Sequence, residues 1–77
     1  MKNWSRLEVE LIVSDYFQML SDYLTGKPYK KSEHKNNLLP LLKNRSEASI
    51  EYKHHNISAV LINLGQIYLK GYVPLFN

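Results

Sequence analysis

Apolar residues recur every three or four positions from Val9 to Leu24, with polar residues between them. This spacing predicts an amphipathic α-helix. Ser5 and Glu8 match the capping box, in which the serine hydroxyl accepts from a backbone amide and the glutamate reaches back to the cap. Gly26 and Pro28 are typical of a helix end, because glycine adopts the left-handed conformation and proline lacks an amide donor. The first helix is therefore expected to begin after Ser5 and to end near Leu24.

Leu7, Leu11 and Met19 widen the apolar stripe of this first helix. A helix that buries one face in a small core needs a narrower stripe than this. The wide stripe predicts that the first helix either lies centrally in the domain or contacts a second surface.

A second, shorter helix is expected from Ser32 to about Leu39. Ser32 is an N-cap candidate, and Glu33 would lie in the first turn, where a negative charge is favourable. Pro40 disfavours helical geometry at the residue before it and removes a backbone donor. The chain therefore either kinks at Pro40 or continues for a further turn through Leu42.

The third helix has the best-defined pattern, with apolar positions spaced as one helix face. These positions are Ile50, Ile57, Val60, Leu61 and Leu64. Gly65 is a standard residue just beyond a helix end, and either Ser46 or Ser49 can cap the start. If Asn56 instead caps a new helix, the segment breaks before Ile57.

After Gly65, residues 66–77 show only weak apolar alternation. We expect an irregular C-terminal arm that folds back on the helices through Ile67, Leu69 and Tyr72. Residues 1–77 are then a single all-α domain, compact, with three to four helices in a helix-turn-helix-like arrangement. A chain of 77 residues is too short for two separate cores.

Composition removes several classes of function. The sequence has no cysteine, so it has neither disulfides nor thiolate metal ligands nor thiol nucleophiles. Its start lacks the apolar segment of a secretion signal, and no apolar run approaches the roughly 18 residues of a membrane span. We therefore expect a cytoplasmic protein that does not enter the membrane.

Charge is distributed unevenly along the chain. Residues 1–24 carry two basic and four acidic side chains, whereas residues 25–77 carry eight basic and three acidic ones. A basic segment is typical of a polyanion-binding surface, because Lys and Arg displace counterions from phosphates. Taken alone, a charge imbalance of this size is more often an ordinary solvated surface.

On the side of the third helix opposite its apolar face, Tyr52, His55, Asn56 and Ala59 form a second stripe at helical spacing. Asn pairs with adenine edges, and His and Tyr donate to base acceptors or stack on bases. Basic residues near the start of the helix suit phosphate contacts. The candidate DNA-binding residues are Lys43, Arg45, Ser46, Ser49, Tyr52, Lys53, His55 and Asn56. The alternative is structural, with Tyr52 covering the core edge and His55 simply exposed.

Catalysis and metal binding have little support. No phosphate-binding loop or nucleophile motif occurs, so no catalytic residue and no cofactor are predicted. His54 and His55 point about 100° apart on a helix and do not chelate one metal together. His34 would join one of them only through tertiary proximity, so no metal site is predicted.

The stretch RSEASIEYKHHNISAVLINLG, followed by IYLKGYVP, resembles a small N-terminal module of prokaryotic proteins associated with restriction and with HNH-type nucleases. The shared pattern covers Arg45, Ser46, Ser49, Ile50, Glu51, Lys53, Asn56, Ile57, Ser58, Ala59, Val60, Leu61, Leu64, Gly65, Tyr68, Gly71, Tyr72 and Pro74. The segments EVELIVSDYFQML and KSEHKNNLLPLL are similar to the same module. The resemblance implies a DNA-related setting, in which this domain is the N-terminal part of a longer protein and a nuclease domain lies on the same or a partner chain.

Two hypotheses follow. The first is a non-catalytic DNA-binding or DNA-targeting module that presents its third helix to DNA. The second is a protein-interaction or self-association module that uses the apolar face of the first helix, through Leu7, Leu11 and Met19.

Overall fold

Three α-helices form most of residues 3–76, the part of the chain that this computed structural model describes. They are α1 (Arg6–Leu24), α2 (Lys31–Leu38) and α3 (Glu47–Asn63). Within those residues there is no β-strand, which confirms the predicted all-α class. The Cα radius of gyration is 12.0 Å, close to the value of about 11.5 Å expected for a compact chain of this length.

The ends of α1 agree with the prediction. The Ser5 hydroxyl accepts from the Glu8 amide at 3.1 Å, and the Glu8 carboxylate accepts from the Ser5 amide at 2.9 Å. Gly26 follows the helix with φ 76°, in the left-handed region that favours glycine. Both ends of α1 are thus determined by local sequence.

The start of α2 differs from the prediction, because Lys30 is the N-cap and Ser32 lies inside the first turn. The Lys30 side chain makes no capping hydrogen bond. Beyond α2 the chain continues for a further turn, with the amides of Leu41 and Leu42 each 2.9 Å from the Leu38 carbonyl. This turn buries Leu42. The second of the two alternatives at Pro40 is therefore the observed one.

The helix α3 is continuous through Asn56. Of the two candidate caps, Ser46 is the one used, since its hydroxyl accepts from the Ser49 amide at 3.1 Å. Gly65 ends the segment with φ 70°. The predicted extent of this helix is confirmed, and the break before Ile57 does not occur.

The relative directions of the helices follow from their contacts. Glu8 contacts Arg45 just before α3, and Tyr16, two turns later on α1, contacts Ser58 near the end of α3. Hence α1 and α3 run in the same direction. On α2, His34 contacts Asp15, whereas Leu38 packs on Ile12, one turn earlier on α1. Hence α2 runs opposite to α1.

The buried side chains form two clusters, one near each end of the helices. The first comprises Tyr16, Met19, Leu20, Leu69 and Tyr72. The second comprises Ile12, Leu38, Leu42 and Ile50. Ile57 packs against both clusters and joins them.

The inward face of α3 is rotated from the predicted one. Val60 and Leu64, expected to point inward, are 57% and 67% exposed. The fully buried line runs instead through Ile50, His54 and Ser58, at spacings of four residues. The two polar residues on this line are buried because α1 supplies hydrogen-bonding partners for them.

The C-terminal arm folds back on the helices as predicted, and Leu69 and Tyr72 are buried. Ile67 was predicted to anchor the arm as well, but it is 64% exposed. Two residues therefore hold this part of the arm on the core. No helix in the described part of the chain has the length and hydrophobicity needed to cross a membrane.

Candidate functional site

The arm covers the polar stripe of α3 that the sequence singled out. The Tyr52 hydroxyl donates to the carbonyl oxygen of Phe76 at 3.4 Å. His55 donates through Nδ1 to the carbonyl of Val73 at 2.6 Å, and the Asn56 amide donates to the carbonyl of Leu75, also at 2.6 Å. The three side chains that were expected to face DNA together hold the arm against the helix.

Two further contacts strengthen this attachment. The Leu75 amide donates to the His55 carbonyl at 3.3 Å. The His55 ring meets Tyr72 edge-on, with centroids 5.2 Å apart. On the other side of the arm, the Lys31 ammonium donates to the Gly71 carbonyl at 2.7 Å and lies 4.4 Å from the centre of the Tyr72 ring. The arm is thus connected to both α2 and α3.

Arg45, a predicted phosphate contact, makes an ion pair with Glu8. Its Nε lies 3.0 Å and its Nη2 2.8 Å from the two carboxylate oxygens, and Nη2 also donates to the Asn3 carbonyl at 2.9 Å. The guanidinium stacks 4.4 Å from the Trp4 ring centre. These hydrogen bonds lower the pKa of Glu8 to about 2. Arg45 therefore ties the start of α3 to the start of α1.

The other predicted DNA contacts have different surroundings. Ser46 and Ser49 form the cap of α3. Lys43 is exposed in the turn before the helix. The Lys53 ammonium lies 5.2 Å from the centre of the Trp4 ring. The predicted residues are therefore divided between a helix cap, an ion pair, contacts with the arm and two other positions.

A buried polar centre joins all three helices. His34 contacts one Asp15 carboxylate oxygen through Nδ1 at 2.6 Å, and His54 contacts the other through Nε2 at 3.0 Å. Burial of Asp15 opposes its ionisation, but the hydrogen bonds from His54 and His34 outweigh this and hold the pKa of Asp15 below its usual value. The His54 ring also stacks on Tyr72, with centroids 4.7 Å apart.

A second buried hydrogen-bond chain lies beside this centre. The Tyr16 and Ser58 hydroxyls are 2.7 Å apart, and the Leu69 amide donates to the Tyr16 oxygen at 2.8 Å. The sequence carried a signal of this arrangement, because His54 and Ser58 follow Ile50 at i+4 and i+8 and so share its face. The apolar spacing did not indicate that these residues are buried, because both are polar.

Neither buried arrangement forms an accessible site. His54 and Ser58 are fully buried, so no substrate reaches them. Within residues 3–76, no group of three or more histidine and acidic side chains is arranged to hold a metal ion. We therefore assign both arrangements to the packing of helices and arm.

An apolar groove with a volume of about 450 Å³ lies between α1 and α3. Its lining residues are Val9, Val13 and Phe17 from α1, Lys53, Asn56, Ile57, Val60 and Leu61 from α3, and Leu64, the C-cap of α3. Phe17 is 44% exposed. A smaller pocket of about 180 Å³ lies between α3 and the arm, and it shares Asn56 and Val60 with the groove. The two features are therefore adjacent.

The hypothesis of a protein-interaction or self-association module rests on Leu7, Leu11 and Met19 of α1, which have different surroundings. Met19 is fully buried in the first core cluster, and Leu11 packs against the second cluster. Leu7 is exposed, but it is not among the residues that line the groove. The exposed apolar face of α1 is thus displaced toward Val9, Val13 and Phe17.

Comparison with known proteins gives no relative of this chain. No protein-family model, no curated protein and no solved structure matches it.

Proposed function

We propose that this domain is a non-catalytic docking module that binds a protein partner in the groove between α1 and α3. The observation that carries the proposal is the groove itself, an apolar surface that the fold leaves uncovered. Burying a Leu or Phe side chain contributes roughly 1.5–3 kcal/mol. Contiguous exposed apolar surface with polar residues at its edge is typical of an interaction site.

The resemblance to nuclease-associated modules suggests the setting. The partner would be a nuclease-type domain, on the same chain or on another, and the module would position it rather than act on a substrate. The proposal places the protein in the cytoplasm, in keeping with a sequence free of cysteine.

Photo-crosslinking in cells tests this proposal. A photoreactive residue at Val60 should capture one recurrent protein that the same residue at Lys27, an exposed position outside the groove, does not capture. That protein, once purified, should bind the domain in calorimetric titrations. Phe17→Glu should abolish binding, and Leu7→Glu, an equally polar change outside the groove, should leave it unchanged.

Two results would overturn the docking proposal. One is a crosslinking pattern at Val60 that equals the pattern at Lys27. The other is a purified partner that binds the Phe17→Glu and Leu7→Glu variants with the same affinity. Circular dichroism of each variant establishes that the domain remains folded.

DNA binding is the second candidate, favoured by the exposed Lys43 in the turn before α3 and by the basic surplus of residues 25–77. Fluorescence anisotropy with duplex DNA should show affinity that falls steeply as salt increases. Lys43→Gln should reduce the slope of log K against log salt by about one. Arg45→Ala is a poor test, because it breaks the ion pair with Glu8. Absence of binding at low salt would eliminate this candidate for the domain.

A further inference from the structure

The three helices leave one position of a four-helix arrangement open. The parallel pair α1 and α3 is bridged on one side by α2, which runs the opposite way. All residues that line the groove belong to α1, to α3 or to the C-cap of α3, and none belongs to α2. The groove therefore lies on the far side of the α1 and α3 contact. In an up-down-up-down bundle, this is the place of a fourth helix that runs antiparallel to both neighbours.

The length of the groove suits a short helix. Along α1 the lining extends from Val9 to Phe17, about 12 Å at 1.5 Å per residue. Along α3 it extends from Lys53 to Leu64, about 16 Å by the same rise. About three turns of an occupying helix fit this length, with apolar side chains at i, i+3 or i+4, and i+7.

Charge at one end of the groove gives the occupant a direction. Lys53 is the one charged residue among those that line the groove, and it lies at the end where α1 and α3 both begin. The positive ends of both helix dipoles lie at that same end. The other end, at Phe17 and Leu64, is apolar. A helix with acidic residues in its last turn, and with its own negative dipole end beside Lys53, complements this arrangement.

We infer that the groove binds an amphipathic helix of another protein, antiparallel to α1 and α3, with an acidic residue of its last turn against Lys53. This inference rests on the proposed docking function and specifies its ligand. It commits to a helix of a different protein rather than to a second copy of this chain.

The probes are three synthetic helical peptides of the same length with the same leucine stripe. The first has two glutamates in its last turn, the second has them in its first turn, and the third has two lysines in its last turn. In heteronuclear NMR titrations of the labelled domain, the first should shift the amides of the groove residues. It should bind about twofold to fivefold more tightly than the other two, the range expected of an exposed ion pair. Lys53→Glu should reverse the preference between the first and third peptides.

The remaining outcomes separate this inference from the docking proposal. If no peptide shifts groove amides while a crosslinked partner still requires Phe17, the inference fails and the docking proposal stands. Equal binding of all three peptides would also contradict the inference of an antiparallel helix with an acidic last turn, and it would leave the docking proposal standing. Sedimentation that shows a dimer of the domain, dispersed by Val60→Glu, would identify a second copy as the occupant and overturn the inference.

Discussion

Among single residues, Asp15 is a polar side chain that connects all three helices. It lies on α1, and its two carboxylate oxygens accept from histidines on α2 and α3. Such a group is costly to leave unpaired, because the fully buried His54 imidazole would lose its hydrogen-bonding partner without gaining water. The carboxylate therefore specifies how the three helices meet.

Asp15→Asn should lower the free energy of unfolding by about 1–3 kcal/mol, because an amide offers one acceptor where the carboxylate offers two. Urea denaturation followed by circular dichroism measures the change. Glu10→Gln is the matched control on the same helix. Its salt bridge with Arg6 is exposed on both sides, so the expected change is below about 0.5 kcal/mol. Equal effects of the two variants would contradict the role given to Asp15.

Glu8 and Asp15 also predict a loss of stability in acid. Both carboxyl groups have a pKa in the folded state below the ordinary value, and for Glu8 it falls from 4.5 to about 2. Between pH 4.5 and pH 2 the unfolded chain therefore binds more protons than the folded chain. The contribution of the two carboxylates to the free energy of unfolding is present above pH 4.5 and is lost as the pH falls toward 2. Melting temperatures measured from pH 6 to pH 2 should fall in this window. Glu8→Gln should flatten the fall, and an unchanged profile would contradict the prediction.

Among the helices, α3 has three faces with different surroundings. One face contacts α1 and α2 through Ile50, His54 and Ser58, a second binds the arm, and a third opens onto the groove. A helix with contacts on two sides and an apolar third side shows no single amphipathic stripe. This explains why its apolar spacing did not identify the buried face.

The rotation of α3 is tested by two alanine variants. Ile50→Ala should cost about 2–5 kcal/mol of unfolding free energy, because it leaves a cavity in a fully buried position. Leu64→Ala should cost less than about 1 kcal/mol, because most of that side chain is already in solvent. The apolar spacing alone predicts similar costs for both. Chemical denaturation distinguishes the two cases, and equal costs would favour the face predicted from the sequence.

At the scale of the whole molecule, the arm determines which surfaces remain available. It covers the polar stripe of α3 and forms one wall of the small pocket, so that the groove beyond Val60 is the large apolar surface still open. Leu69 and Tyr72 hold its first part in the core. Residues 73–76 depend mainly on hydrogen bonds from α3, since Val73 and Phe76 are largely exposed.

Asn56→Ala should loosen the end of the arm without unfolding the domain. The variant loses the donor to the Leu75 carbonyl. A single hydrogen bond of about 1 kcal/mol corresponds to roughly fivefold faster exchange of the Leu75 amide. Hydrogen exchange followed by NMR measures this rate. Asn37→Ala on α2, an exposed position outside the pocket beside the arm, is the control, and faster exchange in both variants would contradict the assigned role of Asn56.

Local sequence by itself determined the helices and most of their ends. Helix ends are set by the capping box at Ser5, the cap at Ser46 and the left-handed glycines at 26 and 65. Each of these features acts on residues only a few positions away, so its effect can be predicted without tertiary information. The weak start of α2 at Lys30 was missed because no side chain caps it.

Only the tertiary structure decided which face of α3 is buried and where the candidate site lies. His54 and Ser58 are polar, and they enter the core because Asp15 and Tyr16, about forty residues earlier, supply hydrogen-bonding partners for His54 Nε2 and for the Ser58 hydroxyl, while His54 Nδ1 has none. The stripe at Tyr52, His55 and Asn56 was recognised from spacing, but its partners are backbone carbonyls of the arm, which carry no sequence signal. The groove likewise arises from the packing of two distant helices, and hydrophobic periodicity does not distinguish an apolar residue that the fold covers from one that it leaves open.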